Sequence, residues 1–342
     1  MLISGKQKTF PDLFPAPEFL MLSSTGVVIK DTNTRFVQLK RRIFGDGFEL
    51  AYASRIDNPS EAIESGLINN PNELAAILKK FALSHHVQYV KASLPEEKAY
   101  LFTANINWVP FEGLRDAVAF IIEENVPISL AEAVFDFEIV SEDRPADKIK
   151  LAVSVLPKNI VRAYEELFES AGMIPISFDL ESRAAARALI PKGDRQTTLV
   201  INFSTKKTGF YVVEEEVVQF STTLAYSIDT ADHHSDSKEF LKEEMRKVIT
   251  FWNARAGRSD LNPHEGNGLV YHAGKIEKII LCGSKGHRAN LIKKFMDDSE
   301  IPYAPANVWL KTSHAGDRIP EIPFDESLGF ASTIGLVLPH NE

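Results

Sequence analysis

A strand–turn–strand pattern that occurs twice, half a chain apart, constrains this sequence more than any other feature. STGVVI runs into a polar turn, KDTNT, and returns as RFVQLKR. Far downstream, TLVIN runs into FSTKKT and returns as GFYVVEE. Apolar, β-branched flanks around Asp, Asn, Ser and Thr are hairpin signals. Aligning Val28 with Asn202 gives an offset of 174 residues in a chain of 342. A repeat on that scale predicts two related lobes.

The segments between and after the hairpins read as alternating helices and strands. A third strand falls near 47–56, and a helix over 72–83 carries Leu74, Ile77, Leu78 and Phe81 at helical spacing. Residues 99–108, 112–124, 133–140 and 149–156 read as strand, amphipathic helix, strand and strand. A helix then ends at Gly172, followed by the strand MIPISFDL and an Ala-rich helix over 181–189. Small side chains there predict close packing against another element. In the second half, a helix is expected over 238–256, then a Gly/His/Asn-rich loop over 257–275. The strand KIIL, a helix RANLIKKFM and a last core helix over 325–338 follow. Residues 1–18 read as an extended arm, and 230–237 as an exposed polar segment.

Charge and composition narrow the function classes. The net charge is −9, and the densest basic tract is LKRR at 39–42. Nucleic acid is disfavoured as a partner, because neutralising phosphates needs a basic surface. No apolar run approaches a membrane span, and the N-terminus has no secretory h-region. The single cysteine, Cys282, excludes an intrachain disulfide framework and cysteine zinc clusters. It sits in KIILC and reads as a buried structural thiol. His85–His86 and the DHHSD segment lack zinc-ligand spacing. No nucleophile-elbow, HExxH or P-loop pattern is present.

Several stretches in order resemble the PilM family of type IV pilus assembly proteins, relatives of the division protein FtsA in the actin-like ATPase superfamily. GVVIKDTNTRFVQL is similar to the family's GIDIGSSSVKVVEL opening. AFIIEENVPISLAEAVFDFEIV is similar to its YIPF–LEE–DF signature, and ESAGMIPISFDLESRAAARAL to its AG…VD–E–ALARAL stretch. The resemblance runs from Phe14 over nearly the whole chain. It implies an α/β, two-lobed actin-like ATPase (ribonuclease H-like) fold with an inserted β-α-β-β subdomain of SHS2 type. The expected units are a first lobe of 19–97 and 169–195, the insert 98–168 and a second lobe of 196–342.

The resemblance also implies ATP with Mg²⁺ between the lobes, wrapped by the hairpin turns. By position the first phosphate turn is Lys30, Asp31, Thr32 and Asn33, with Arg35 just after. The second runs from Asn202 through Ser204, Thr205, Lys206 and Lys207 to Thr208. An adenosine turn falls at Gly283, Ser284, Lys285 and Gly286, and Glu181 aligns with a water-positioning catalytic glutamate. Glu181 reads equally as a helix-start residue favoured by the helix dipole. The polar turns read equally as solvated hairpin chemistry. The sequence departs from the pattern where Val28 and Asn202 stand at acidic positions, and where Lys30 and Ser204 replace glycines. Valine cannot ligate Mg²⁺, which takes oxygen ligands; added Lys and Arg could partly stand in for the cation.

The implied role is a cytoplasmic scaffold, peripheral to the inner membrane through its partners. It would bind the N-terminal cytoplasmic peptide of a PilN-like protein and contact the pilus motor ATPase. Trp108, Phe111 and Phe120 are the candidate groove residues, or alternatively core. Other readings are a nucleotide-independent binding module, an FtsA-like division protein and a small-molecule kinase. The kinase needs a general-base carboxylate that no motif supplies. The FtsA-like protein needs an amphipathic membrane helix, which GLVLPHNE does not resemble.

Overall fold

The computed structural model describes residues 23–41, 48–228, 235–256, 274–286, 292–293, 295–297, 299–312 and 322–339. The expected arm, most of the 257–275 loop and most of the RANLIKKFM helix lie outside them.

The first sheet grows from β1 (Ser24–Ile29), β2 (Asn33–Arg41) and β3 (Phe48–Asp57), an antiparallel meander. A small hairpin follows, β4 (Ile63–Glu64) and β5 (Leu67–Ile68). Its turn places Ser65 and Gly66 at positive φ, 48° and 76°. A Cβ at Gly66 would lie 2.2 Å from Pro95 Cβ, so the close approach requires glycine. Helix α1 (Pro71–His85) starts with Pro71 at its first position and with the Asn70 side chain accepting from the Glu73 N–H. Strands β6 (Tyr89–Leu94) and β10 (Ile174–Leu180) complete the sheet in parallel, giving the order β10-β6-β1-β2-β3.

Between β6 and β10 the chain makes a separate unit. It consists of β7 (Tyr100–Asn107), α2 (Phe111–Asn125), β8 (Ala133–Asp143) and β9 (Lys148–Pro157), with sheet order β7-β9-β8. This is the expected strand–helix–strand–strand order. Leu114, Val118 and Ile122 on one stripe of α2 bury against Ile149, Leu151, Val153 and Val155 of β9. Helix α3 (Lys158–Ser170) returns the chain to the first sheet, and Ala-rich α4 (Glu181–Leu189) leaves it.

The second sheet repeats the first. Its strands are β11 (Thr198–Phe203), β12 (Thr208–Glu214), β13 (Val217–Leu224), β14 (Lys278–Cys282) and β15 (Tyr303–Pro305), in the order β13-β12-β11-β14-β15. In each lobe an antiparallel meander is extended by two parallel strands. The two hairpin turns close alike: the Lys30 N–H donates to Asn33 O and the Ser204 N–H to Lys207 O, both at 2.9 Å. The lobes therefore share one plan, and the actin-like architecture stands. Helix α5 (Ser235–Ala256) begins three residues before the apolar spacing suggests, since a first turn need not carry apolar residues. The expected last helix is broken into α6 (Phe324–Ser327), a 3₁₀ turn at Leu328–Phe330, and α7 (Ala331–Val337).

Each sheet has two buried faces. In the first lobe, Val27, Ile29 and Phe36 pack under α1 and α3. In the second, Leu199, Ile201 and Phe210 pack under Leu241, Met245 and Trp252 of α5. The inner faces meet α4 and α7, where Val37 from one sheet and Val200, Tyr211 and Val213 from the other join one apolar cluster. Ala184, Ala185, Ala186 and Ala188 are all buried there. The close neighbour that these small residues predict is α7: a Cβ at Gly335 would lie 1.7 Å from Ala184 O.

Candidate functional site: the interlobe cleft and the groove beside it

Because β1 and β11 stand on opposite sides of α4 and α7, the hairpin turns at their ends face each other across a cleft. The cleft is lined by Lys30, Asp31, Thr32 and Asn33 from the first turn and by Asn202, Ser204, Thr205, Lys206 and Lys207 from the second. Glu96 and Glu97, just past β6, and Glu181, at the start of α4, close its floor. The sequence reading assigns all of these except Glu96 and Glu97. Their signal is an acidic pair directly after Pro95 at a strand end.

Lysines from both lobes cross the cleft. Lys30 Nζ donates to Glu181 Oε1 at 2.5 Å and to Ser204 Oγ of the second lobe at 2.9 Å. Lys207 Nζ reaches back to the first lobe, where it pairs with Asp31 at 3.0 Å and with Glu97. Asn202 Nδ2 donates to Glu181 Oε1 at 2.8 Å. Burial works to raise the Glu181 pKa, but the Lys30 ammonium, the Asn202 amide and the more distant Lys207 outweigh it and hold the carboxyl below its ordinary value. Burial likewise works against charge on Lys207, and Glu97 with Asp31 overcomes it, so this pKa is raised. Glu96 goes the other way. Burial pushes its pKa up, although it accepts from the Ser182 N–H at 3.0 Å and the Ser182 hydroxyl at 2.7 Å.

Other candidate residues sit elsewhere. Arg35 does not line the cleft. It lies beneath the C-terminal turn, donating to Gly329 O at 2.9 Å and stacking over Phe330, and burial with nearby Arg55 pulls its pKa down to about 10. Thr208 gives its hydroxyl to Tyr226 O at 2.7 Å. Gly283, Ser284, Lys285 and Gly286 pack on the end of β11. Gly283, at φ 90°, leaves no room for a Cβ, which would lie 2.4 Å from Asn202 Oδ1 and Phe203 O. The Lys285 N–H donates to Phe203 O at 3.0 Å. Val28 is buried against Ala184 and Leu336.

These residues do not fit a metal nucleotide. The cleft holds about 50 Å³, room for a few waters, whereas pockets that enclose a drug-sized ligand run to roughly 300–1,000 Å³. Of the carboxylates that line the cleft, Asp31, Glu97 and Glu181 are already paired with lysine and Glu96 accepts from Ser182. Among the described residues no group of three or more His, Cys, Asp or Glu is arranged to hold a metal ion. Cys282 is buried, and burial pushes its thiol up to about 12, in keeping with an inert structural role.

A second concavity, of about 1,050 Å³, lies between the inserted unit, α4 and the β12–β13 turn. Phe111, Phe137, Ile139, Val217 and Val218 give it apolar surface, and its charged lining is mixed, with Arg115, Arg183, Arg187 and Lys311 beside Glu112, Asp136, Glu138, Glu215 and Glu216. Arg183 ties its walls together, donating to Asp136 of β8 at 2.8 Å and lying 3.2 Å from Glu138 and 3.5 Å from Asp179. Burial opposes its charge, but these three carboxylates keep it firmly protonated. Of the three candidate groove residues, Phe111 lines this groove and is 75% exposed. Phe120 is exposed on another side of α2, and Trp108 packs against the inserted core under Arg144, 4.3 Å away.

No protein-family model and no curated protein sequence matches the chain. Among solved structures it is similar to a chain of a PilM–PilN type IV pilus biogenesis complex, with a TM-score of 0.74 and 18% identity over 94% of this chain and 98% of that one. A weaker likeness is to the ethanolamine utilization protein EutJ from Carboxydothermus hydrogenoformans (TM-score 0.46, 11% identity, 94% of this chain and 90% of that one). Another is to a Bacteroides thetaiotaomicron protein with an actin-like ATPase fold and unknown function (TM-score 0.41, 8% identity, 82% and 90%). The chain is a two-lobed protein of actin-like fold. It shares that fold, almost from end to end, with a component of the PilM–PilN complex.

Proposed function

We propose that this chain is a PilM-like scaffold of type IV pilus assembly, which works by holding a partner's peptide and not by turning over nucleotide. The observation that carries the reading is the shared fold over 94% of this chain and 98% of a PilM–PilN complex chain. A likeness confined to the two lobes would not reach that coverage, because it would leave out the inserted unit.

In this reading the partner is a PilN-like membrane protein whose short N-terminal peptide enters the groove beside α2. Exposed Phe111 and the flanking apolar residues suit an apolar peptide. The protein would sit in the cytoplasm, reach the inner membrane through this partner, and stand next to the motor ATPase. No helix among the described residues is long and apolar enough to cross a membrane. The working units would be residues 19–97 with 169–195, the insert 98–168, and 196–342. A kinase reading has less support, since Asp31, Glu97 and Glu181 in the cleft are held by lysines and Glu96 by Ser182.

The test is isothermal titration of the full chain with a synthetic N-terminal peptide of a PilN-type partner. The reading expects saturable one-to-one binding that Phe111→Ala weakens by at least ~10-fold, about 1.4 kcal/mol. Absence of heat and of a melting shift at saturating peptide would remove the partner assignment.

A further inference from the structure

In the cleft, Lys30 and Ser204 occupy equivalent places in the repeat, 174 residues apart, and they touch. Lys207 occupies the place equivalent to Asn33, and it crosses in the opposite direction to Asp31 and Glu97. Each lobe thus supplies one ammonium group to the other. Together they satisfy three carboxylates, Asp31, Glu97 and Glu181, that line the same partly buried space. Leaving those carboxylates unpaired there would be costly.

We propose that Lys30 and Lys207 form a reciprocal latch that holds the two lobes closed without nucleotide. The two ammonium groups take the bridging role that the resemblance implies for Mg·ATP. The space that remains is water-sized. The buried Asn33 Oδ1, Asn202 Oδ1 and Thr223 Oγ1 have no protein partner, which suits a few ordered waters in about 50 Å³. Glu181 anchors the latch to α4, the helix both lobes share, and Ser332 of α7 lies 3.4 Å from the same oxygen. Closure therefore belongs to the folded chain itself.

The latch has a consequence for the neighbouring groove. That groove takes Phe111, Asp136 and Phe137 from the inserted unit and Val217, Val218 and Lys311 from the second lobe. Lobes locked together keep it formed. This consequence rests on the peptide-binding reading; the latch itself does not.

The test is small-angle scattering and hydrogen exchange on the full chain, with and without millimolar Mg·ATP. Wild type is expected to keep one radius of gyration and one melting temperature in both conditions. Lys207→Glu is expected to enlarge the radius and to speed amide exchange in both hairpin turns by at least ~10-fold. The paired exchange Glu97→Lys with Lys207→Glu restores an opposite-charge contact and is expected to return both readouts toward wild type. Compaction or a raised melting temperature of wild type on Mg·ATP would overturn the proposal, and that measurement needs no variant. Unchanged scattering and exchange in Lys207→Glu would overturn it too. Peptide titration reports separately on the groove.

Discussion

Glu181 joins more of the cleft than any other single residue. Its Oε1 accepts from Lys30, Asn202 and Ser332, so elements from both lobes converge on one carboxylate. Its depressed pKa makes the cleft acid-sensitive in a defined direction. A lowered folded-state pKa contributes stability above the unfolded value, 4.5 for this side chain, that is lost as pH falls through the folded value. The Lys207 and Arg35 cations attract this carboxylate, whereas Glu96, a like charge, is pushed further up by it. The expected outcome is a melting temperature that falls below pH 4.5 more steeply in wild type than in Glu181→Gln, measured by calorimetry across the acid range. At Lys207, truncation to Ala leaves Asp31 and Glu97 without their counter-ion. Breaking a buried pair costs about 3–5 kcal/mol. With both partners slightly solvated, at 19% side-chain exposure for Lys207 and for Glu97, about 3 kcal/mol is expected from urea unfolding. These pairings were illegible in the sequence for a physical reason. Lys30 and Glu181 lie 151 residues apart, and Lys207 and Glu97 lie 110 apart, so no local spacing announces them. Only the residue types in the turns could be read there. Arg35 lies off the cleft because its register opposite Val28 turns that side chain toward Gly329 and away from the phosphate turn.

At the scale of elements, legibility followed burial. The meanders were readable because a central strand buried on both faces, such as β11 with all six residues buried, is apolar throughout. The two-residue strands β4 and β5 and the three-residue β15 carry too few residues to show a period. The Ala-rich α4 told of a close neighbour without naming it; the neighbour is α7, packed through Gly335. Gly335→Ala is therefore expected to destabilise the fold by at least about 1–3 kcal/mol, the usual cost of overpacking, because the blocking atoms are helix backbone that cannot rotate aside. Denaturant unfolding gives the number directly. Arg183 holds the inserted sheet to α4 through Asp136 and Glu138. Arg183→Ala is expected to raise amide exchange across β8 and leave β11 and β12 protected; uniform exchange across all three would show that the contact does not position the insert.

For the whole molecule, the two-fold repeat, the inserted unit and the shared interlobe helices account for the architecture, and the sequence resemblance reached the same architecture from motif order. The resemblance also implies Mg·ATP, and in the structure Lys30 and Lys207 cross the space between the turns. The cleft that two phosphate turns should open is filled by their own lysines. In the reading proposed above, such a chain would offer a PilN-like partner a preformed surface, and its affinity would owe nothing to a second ligand, since a ligand that does not distinguish two states shifts neither. The most direct measurement is titration of the full chain with the N-terminal peptide of a PilN-type partner, run once without nucleotide and once with millimolar Mg·ATP. The account predicts saturable binding in both, with dissociation constants that agree within about twofold. No binding, or binding that appears only with nucleotide, would contradict it.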